Sequence, residues 1–194
     1  MRGYFGIGVE GVSKAMNVGS LFRTANAFGA SFVFTVAAAY QRREGGKSDT
    51  SDTPDQVPFY GFPDVGSLLL PAGCKLVGVE IDEAAVDLPS FRHPPQAAYV
   101  LGPERGSLSR ALMERCDFVV RIPTRFALNL GIAGAIVMYD RLASLGRYAR
   151  RPERPGGPAE PMPAHVFGGP KIRKKMEKFR KPAPVRDASD ADES

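Results

Sequence analysis

The stretch Leu101–Gly131, LGPERGSLSRALMERCDFVVRIPTRFALNLG, constrains the fold of this chain more than any other. Two short apolar runs, Tyr99–Leu101 and Phe118–Ile122, each stop at a turn rich in Gly, Pro and charge. The turns are Gly102–Gly106 and Pro123–Arg125, and each leads into a helical pattern. That is strand, loop and helix, twice in succession. Strands alternating with helices form a parallel sheet, and in open α/β sheets ligands bind outside the carboxyl ends of the strands. The two turns are therefore expected to build one small-molecule site.

The rest of the chain fits the same class. Gly3–Val9 is apolar, glycine-spaced and reads as a first strand. In Asn17–Ala30 (NVGSLFRTANAFGA), Leu21, Phe22, Ala25 and Phe28 recur at helical spacing, Asn17 is placed to cap the helix and Gly29 to end it. Phe32–Ala37 is a second strand, Gln41–Pro58 a long polar loop, and Asp64–Leu70 a candidate short helix. Lys75–Glu80 is a strand and Ile81–Gln96 a proline-punctuated connection. Strand 97–101, helix 107–115 with Ser107 as a candidate cap, and strand 117–122 come next. A last helix is expected from about Leu128 to Tyr148, apolar nearly all round as far as Met138. A helix apolar on every side is buried from several sides, and in a small domain the simplest partner is a second copy, so a homodimer is expected. The fold class is α/β, a mostly parallel sheet with helices on both faces.

Composition narrows the function. At 194 residues, with 43% hydrophobic and 24% charged, the chain holds one well-packed domain and tails. Cys74 and Cys116 lack metal-ligand spacing and read as buried thiols in a reducing compartment. No charged-then-apolar leader stands at the N-terminus, and Phe126–Tyr139 is too short an uncharged run to span a bilayer. A soluble, cytoplasmic protein without membrane contact is expected. The domain should end near residue 150; residues 151–170 read as a Pro/Gly-rich linker and 171–194 as a largely disordered tail. The net charge of +5 is concentrated in residues 171–181 (KIRKKMEKFRK), where seven Lys/Arg face one Glu, and an acidic end follows. Lys171, Arg173, Lys174, Lys175, Lys178, Arg180 and Lys181 are candidate contacts to nucleic-acid phosphates, or a solvated tail.

Taken together, NVGSLFRTANAFGA from Asn17, LGPERGSLS from Leu101 and IPTRFALNLGIA from Ile122 resemble, in order and spacing, the three motifs of the SPOUT class of RNA methyltransferases. The resemblance is to its SpoU/TrmH family, which methylates ribose 2′-hydroxyls, and it covers roughly residues 3–148. It implies a deep C-terminal trefoil knot, a feature periodicity alone would not suggest, since true knots are almost absent from proteins. It further implies S-adenosylmethionine as cofactor, no metal, and dimers that bind RNA across their interface. An added N-terminal substrate domain, present in many relatives, is not expected, because the first strand begins at Gly3.

Residue by residue, the resemblance assigns cofactor binding to Val79, Glu80, Leu101, Gly102, Glu104, Gly106, Ile122 and Leu128. Gly102 and Gly106 permit close backbone approach to a ligand. The catalytic candidates are Arg23, Asn17, Glu104 and Asn129. In the family the matching arginine is essential and is thought to work with an RNA phosphate in taking the 2′-hydroxyl proton. A guanidinium stays protonated and has no acceptor, so clamping the phosphate and placing the ribose is the role chemistry favours. Asn17 and Asn129 also read as helix caps, Glu104 as an exposed turn acid, and Arg23 as half of a surface salt bridge. The family's third motif usually has Ser-Leu-Asn where this chain has Ala127-Leu128-Asn129, so a hydroxyl is missing.

The expected function is S-adenosylmethionine-dependent methylation of a ribose 2′-hydroxyl in structured RNA, tRNA before rRNA. The alternatives are a non-catalytic RNA-binding protein on the same fold and a base methyltransferase. Neither His93, among prolines, nor His165, in the linker, is placed like a catalytic base.

Overall fold

The computed structural model describes residues 3–11, 15–38, 56–103, 106–146 and 148, with isolated positions between 151 and 156. The chain divides into two compact units, Met1–Tyr148 and Ala149–Ser194, and the first carries every element below. The linker and the basic run lie, but for those isolated positions, outside the described residues.

Seven strands form one sheet: β1 (Tyr4–Glu10), β2 (Phe32–Val36), β3 (Phe59–Phe62), β4 (Lys75–Val79), β5 (Val86–Asp87), β6 (Gln96–Leu101) and β7 (Phe118–Arg121). Their spatial order is β3-β2-β1-β6-β4-β7-β5, and every pairing is parallel. Among the described residues the helices are α1 (Ala15–Ala27), α2 (Arg110–Arg115) and α3 (Leu130–Leu145). The expected α/β class, parallel with helices on both faces, is what is observed.

Period-two alternation sorts the core into two layers. Phe5, Ile7 and Val9 of β1 and Tyr99 and Leu101 of β6 face α1 and α3, meeting Leu21, Ala25, Val137 and Met138. Phe32, Phe34, Ala98 and Val100 face the opposite way, with Leu68, Leu108 and Leu112. Gly6 and Gly8 explain the glycine spacing of β1. A Cβ at either would collide with the ring of Phe32 or Phe34, so bare backbone lets these rings lie flat on the strand. Each large ring buried this way stabilises by about 1.5–3 kcal/mol.

Helix ends show where local chemistry decided. Gly29, at φ +73°, closes α1 as expected: its N–H donates to Asn26 O (2.9 Å) and that of Ala30 to Ala25 O (2.9 Å). This is a Schellman cap, which a left-handed glycine makes cheap. Several expectations need correction. Helix α1 already includes Ala15, so Asn17 stands inside it and is not its cap. Helix α2 is capped by Ser109, two residues beyond Ser107. Asp64–Leu70 is a turn rather than a helix, although the Asp64 carboxylate accepts the Ser67 N–H (2.7 Å) as a helix cap would. Helix α3 spans Leu130–Leu145, shorter at both ends than 128–148. Strand β3 falls just past the polar loop, most of which (41–55) lies outside the described residues, and β5 with a 3₁₀ turn (Leu88–Ser90) lies within the proline-punctuated connection.

Candidate active site at the carboxyl edge of the sheet

Strand order places the site. The neighbours β6, β4 and β7 are in register, with Val79 opposite both Leu101 and Val120. Their carboxyl ends therefore stop at one level, and the segments that leave them converge. Between these segments and the start of α3 lies a cleft whose empty volume, out to its open mouth, is about 650 Å³. Val79, Glu80, Leu101, Gly102, Gly106, Ile122 and Leu128 all line it. These are seven of the eight residues singled out above for the cofactor; Glu104 lies outside the described residues. Pro103 and Thr124, from the two expected turns, also line it, and Ile81, Ala127, Leu130 and Ala133, which sequence reasoning does not single out as ligand contacts, complete the lining. Ala127 is exposed at the cleft, so a methyl group stands where the motif usually has a hydroxyl.

The cleft combines apolar side chains with polar surface, to which Glu80 and Thr124 belong. Leu101 and Leu130 are buried, and Val79, Ile122 and Leu128 half-buried. The carboxylate of Glu80 accepts the N–H of Ile81 at Oε1 (2.9 Å) and that of Leu108 at Oε2 (2.8 Å). A Cβ at Gly102 would lie 3.0 Å from the Leu108 nitrogen, a tight contact to which the neighbouring backbone would have to give way. Apolar walls, a fixed carboxylate and bare backbone suit a flat nucleoside carrying positive charge.

Asn129 separates this cleft from a second concavity. Its neighbours Leu128 and Leu130 face the cleft, while Asn129 lines a shallow groove between α1 and α3 with Ser20, Thr24, Gly131, Ile132, Ala135 and Ile136. Asn129 caps α3, its Oδ1 accepting the Gly131 N–H (2.9 Å). Its Nδ2 reaches Asn17 Oδ1 at 3.4 Å, so the structure brings together two candidates 112 residues apart. Arg23 lies on α1 between Ser20 and Thr24 in sequence and is exposed. It makes no ion pair or hydrogen bond among the described residues, which removes the surface salt bridge considered for it there.

Two other polar groups are prominent. Glu10, at the end of β1, is 5% exposed, and its carboxylate binds the backbone and side chain of Ser109. Sequence reasoning missed it; the signal was an acid closing the apolar run GIGVE. His93 is buried at the opposite, amino edge of the sheet, away from the cleft. It joins Tyr99 Oη at Nδ1 (2.6 Å) and Asp140 Oδ2 at Nε2 (2.8 Å). Burial holds its pKa below the ordinary value, with Asp140 opposing and Arg141 reinforcing the shift. Cys74 and Cys116 are free thiols, and burial pushes Cys116 up to about 11. No helix among the described residues is long and apolar enough to cross a membrane.

Comparison with known proteins accords with this geometry. The 23S rRNA (guanosine-2′-O-)-methyltransferase RlmB of Coxiella burnetii is 30% identical over 142 residues, covering 68% of this chain and 55% of that protein. An uncharacterized tRNA/rRNA methyltransferase of Archaeoglobus fulgidus is 28% identical, covering 71% of this chain and 63% of its own. The chain thus spans little more than half the length of these curated relatives. The SpoU methyltransferase AviRb of Streptomyces viridochromogenes, solved in complex with AdoMet, has the same fold at a TM-score of 0.66, with 23% identity over 76% of this chain and 60% of that one. The model of the SpoU rRNA Methylase family matches residues 5–139, from the second residue of β1 to the late part of α3, and the chain belongs to that family.

Proposed function

We propose that this protein transfers a methyl group from S-adenosylmethionine to a ribose 2′-hydroxyl of structured RNA. One observation carries the reading: Asn129 stands between the cleft at the strand ends and a groove on the helix that bears Arg23. A donor on one side and an acceptor on the other is the arrangement a group transfer needs.

When bound, S-adenosylmethionine supplies an activated methyl group on a sulfonium. Leu101, Ile122, Leu128 and Val79 would enclose its nucleoside, and the bare backbone of Gly102 and Gly106 would admit it closely. The chain's own work is positioning. Arg23, exposed and without a partner among the described residues, is available to clamp an RNA phosphate and set the ribose in line. Asn129, held by its cap bond and by Asn17, presents an amide at the border of the two concavities. Glu104 would order the loop it belongs to. None of these roles needs the hydroxyl that Ala127 lacks.

The RNA class is a separate step. The relatives' names favour 23S rRNA, so of rRNA and tRNA we take rRNA first. The basic run Lys171–Lys181 would add phosphate contacts of little sequence preference. A homodimer is part of the proposal, supported by Ile132 and Tyr139, which are 55% and 58% exposed on α3 of the single chain. A monomer at micromolar concentration in sedimentation would count against it. The trefoil knot is likewise proposed, supported by β6 and β7 lying between strands formed earlier in the chain. A cytoplasmic location follows from the substrate.

Mass spectrometry of nucleosides from the rRNA and tRNA of a deletion strain tests the whole reading. Loss of one 2′-O-methyl nucleoside from one RNA class is expected. Loss of a base-methylated nucleoside instead would move the acceptor from ribose to base, and an unchanged profile would favour a non-catalytic RNA-binding protein.

A further inference from the structure

We propose that Glu10 and Glu80 form a two-sided clasp on the segment after β6, and that Glu10 is a positioning residue for cofactor binding through Ser109. The proposal rests on the reading that the cleft takes S-adenosylmethionine.

The clasp follows from strand order. In the sheet, β6 lies between β1 and β4. Glu10 ends β1 and Glu80 follows β4, so the two carboxylates reach the chain leaving β6 from opposite flanks. Glu80 Oε2 accepts the Leu108 N–H (2.8 Å). Glu10 Oε2 accepts the next amide, that of Ser109 (2.7 Å), and its Oε1 accepts the Ser109 hydroxyl (2.5 Å). The hydroxyl oxygen in turn accepts the Leu112 N–H (3.2 Å) and caps α2. Two consecutive amides are thus held by acids from two different strands.

Glu10 is buried at 5% exposure and has no cationic partner among the described residues. Burying a carboxylate is costly unless its hydrogen bonds repay the lost hydration. Here they are charge-assisted and short, the strong kind. They also fix something useful. Gly102 lies close to the Leu108 nitrogen, so the clasped amides border the stretch that leaves β6. Pro103 and Gly106, which line the cleft, stand within it. A wall already ordered before the ligand arrives lowers the entropic cost of binding.

The test uses the purified full chain with Glu10→Ala, Glu10→Gln and Ser109→Ala. Calorimetry with S-adenosylmethionine, KM and kcat for RNA methylation, and hydrogen exchange at the Leu108 and Ser109 amides are measured together. Glu10→Ala is expected to weaken cofactor binding about tenfold or more, to raise the cofactor KM in parallel, and to change kcat at saturation far less. Exchange at both amides should accelerate. Glu10→Gln keeps an acceptor for the Ser109 N–H and should recover most of the affinity. A purely structural role would lower Tm and the active fraction and leave the cofactor KM unmoved; that result overturns the proposal. Should Glu10→Ala not fold, Ser109→Ala carries the comparison, with a KM rise expected and an unchanged KM overturning the clasp. Wild-type protein that fails to bind S-adenosylmethionine would overturn the cleft reading itself. That failure is distinct from a failed clasp, in which wild type and Glu10→Ala bind equally well.

Discussion

Replacing Arg141 by Met should destabilise this domain by about 3–4 kcal/mol, a figure that comes from what the guanidinium holds. Arg141 is 1% exposed, on α3. Its Nη1 donates to Pro94 O (2.6 Å) and to Tyr99 Oη (3.2 Å), and its Nη2 to Pro95 O (2.7 Å) and Tyr4 O (3.2 Å). The guanidinium also lies 5.3 Å from the ring centroid of Phe5 and 5.9 Å from that of Tyr99. One side chain therefore ties the last helix to the starts of β1 and β6. Hydrogen bonds to a charged group are each worth about 1.5–3 kcal/mol net, and a buried carbonyl left without a donor costs about 1–3 kcal/mol. Pro95 O would keep the Tyr4 N–H (3.1 Å), which limits the loss. Against this stands relief from burying a cation, several kcal/mol, so only part of the gross loss survives. Lys at this position keeps the charge but not the fork, and should fall between Arg and Met.

The chain has no Trp, so urea unfolding is best followed by far-UV circular dichroism and Tyr fluorescence. For a unit of this size each kcal/mol moves Tm by about 2–4 °C, which puts the Met variant roughly 10 °C below wild type. A variant within about 1 kcal/mol of wild type at unchanged m-value would refute the reasoning, since desolvation would then cancel the bonds entirely.

Three further outcomes are expected. Arg23→Ala, at an exposed position, should keep stability within about 0.5 kcal/mol and keep cofactor binding, while methyl transfer falls about 100-fold or more; near-normal turnover would remove Arg23 from the mechanism. Gly102→Ala sets a Cβ 3.0 Å from the Leu108 nitrogen and 3.3 Å from Glu80 Oε2, so calorimetry should show cofactor affinity down by about tenfold with only a small change in Tm. His93, whose folded pKa lies below its ordinary value chiefly through burial, binds its proton more readily in the unfolded chain. Its contribution to stability is therefore complete above about pH 6.5 and declines as pH falls from there toward the folded pKa. Urea midpoints near pH 7.5 and 5.5 should drop more for wild type than for His93→Gln, and equal drops would show that His93 is not the titrating group.

Much of the fold could be read from the chain because its strands are short, apolar and bounded by glycine and proline. β1, β2, β4, β6 and β7 all carry that signal. β3 and β5 do not. FYGF contains a glycine and borders a long polar segment, and Val86-Asp87 is too brief for any period to register. These strands exist because an edge stood ready to pair with them, at β2 and at β7. The Asp64 turn illustrates the opposite case: Asp64 accepts the Ser67 N–H as a helix cap would, yet no helix forms before Pro71. Arg141 was also hidden. At its position in the sequence it is one basic residue in the last third of a helix, and only the crossing of α3 over the amino ends of β1 and β6 buries it.

The cleft was legible for a different reason. Its walls are strand ends and the segments just after them, and tight strand-end turns leave glycines and prolines in the sequence at Gly102, Gly106 and Pro103. Glu10 leaves no such trace, because its partner Ser109 is ninety-nine positions away. The two kinds of residue answer to different requirements. Lining residues must suit a ligand, which is a local matter of size and polarity. Clasp residues must suit the register between strands, which depends on β6 entering between β1 and β4 after both have been laid down. It follows that Glu10 should tolerate change poorly even where a lining residue such as Ile122 accepts another apolar side chain of similar volume. An isosteric change in the wall alters one contact, whereas loss of Glu10 leaves both the amide and the hydroxyl of Ser109 without their acceptor.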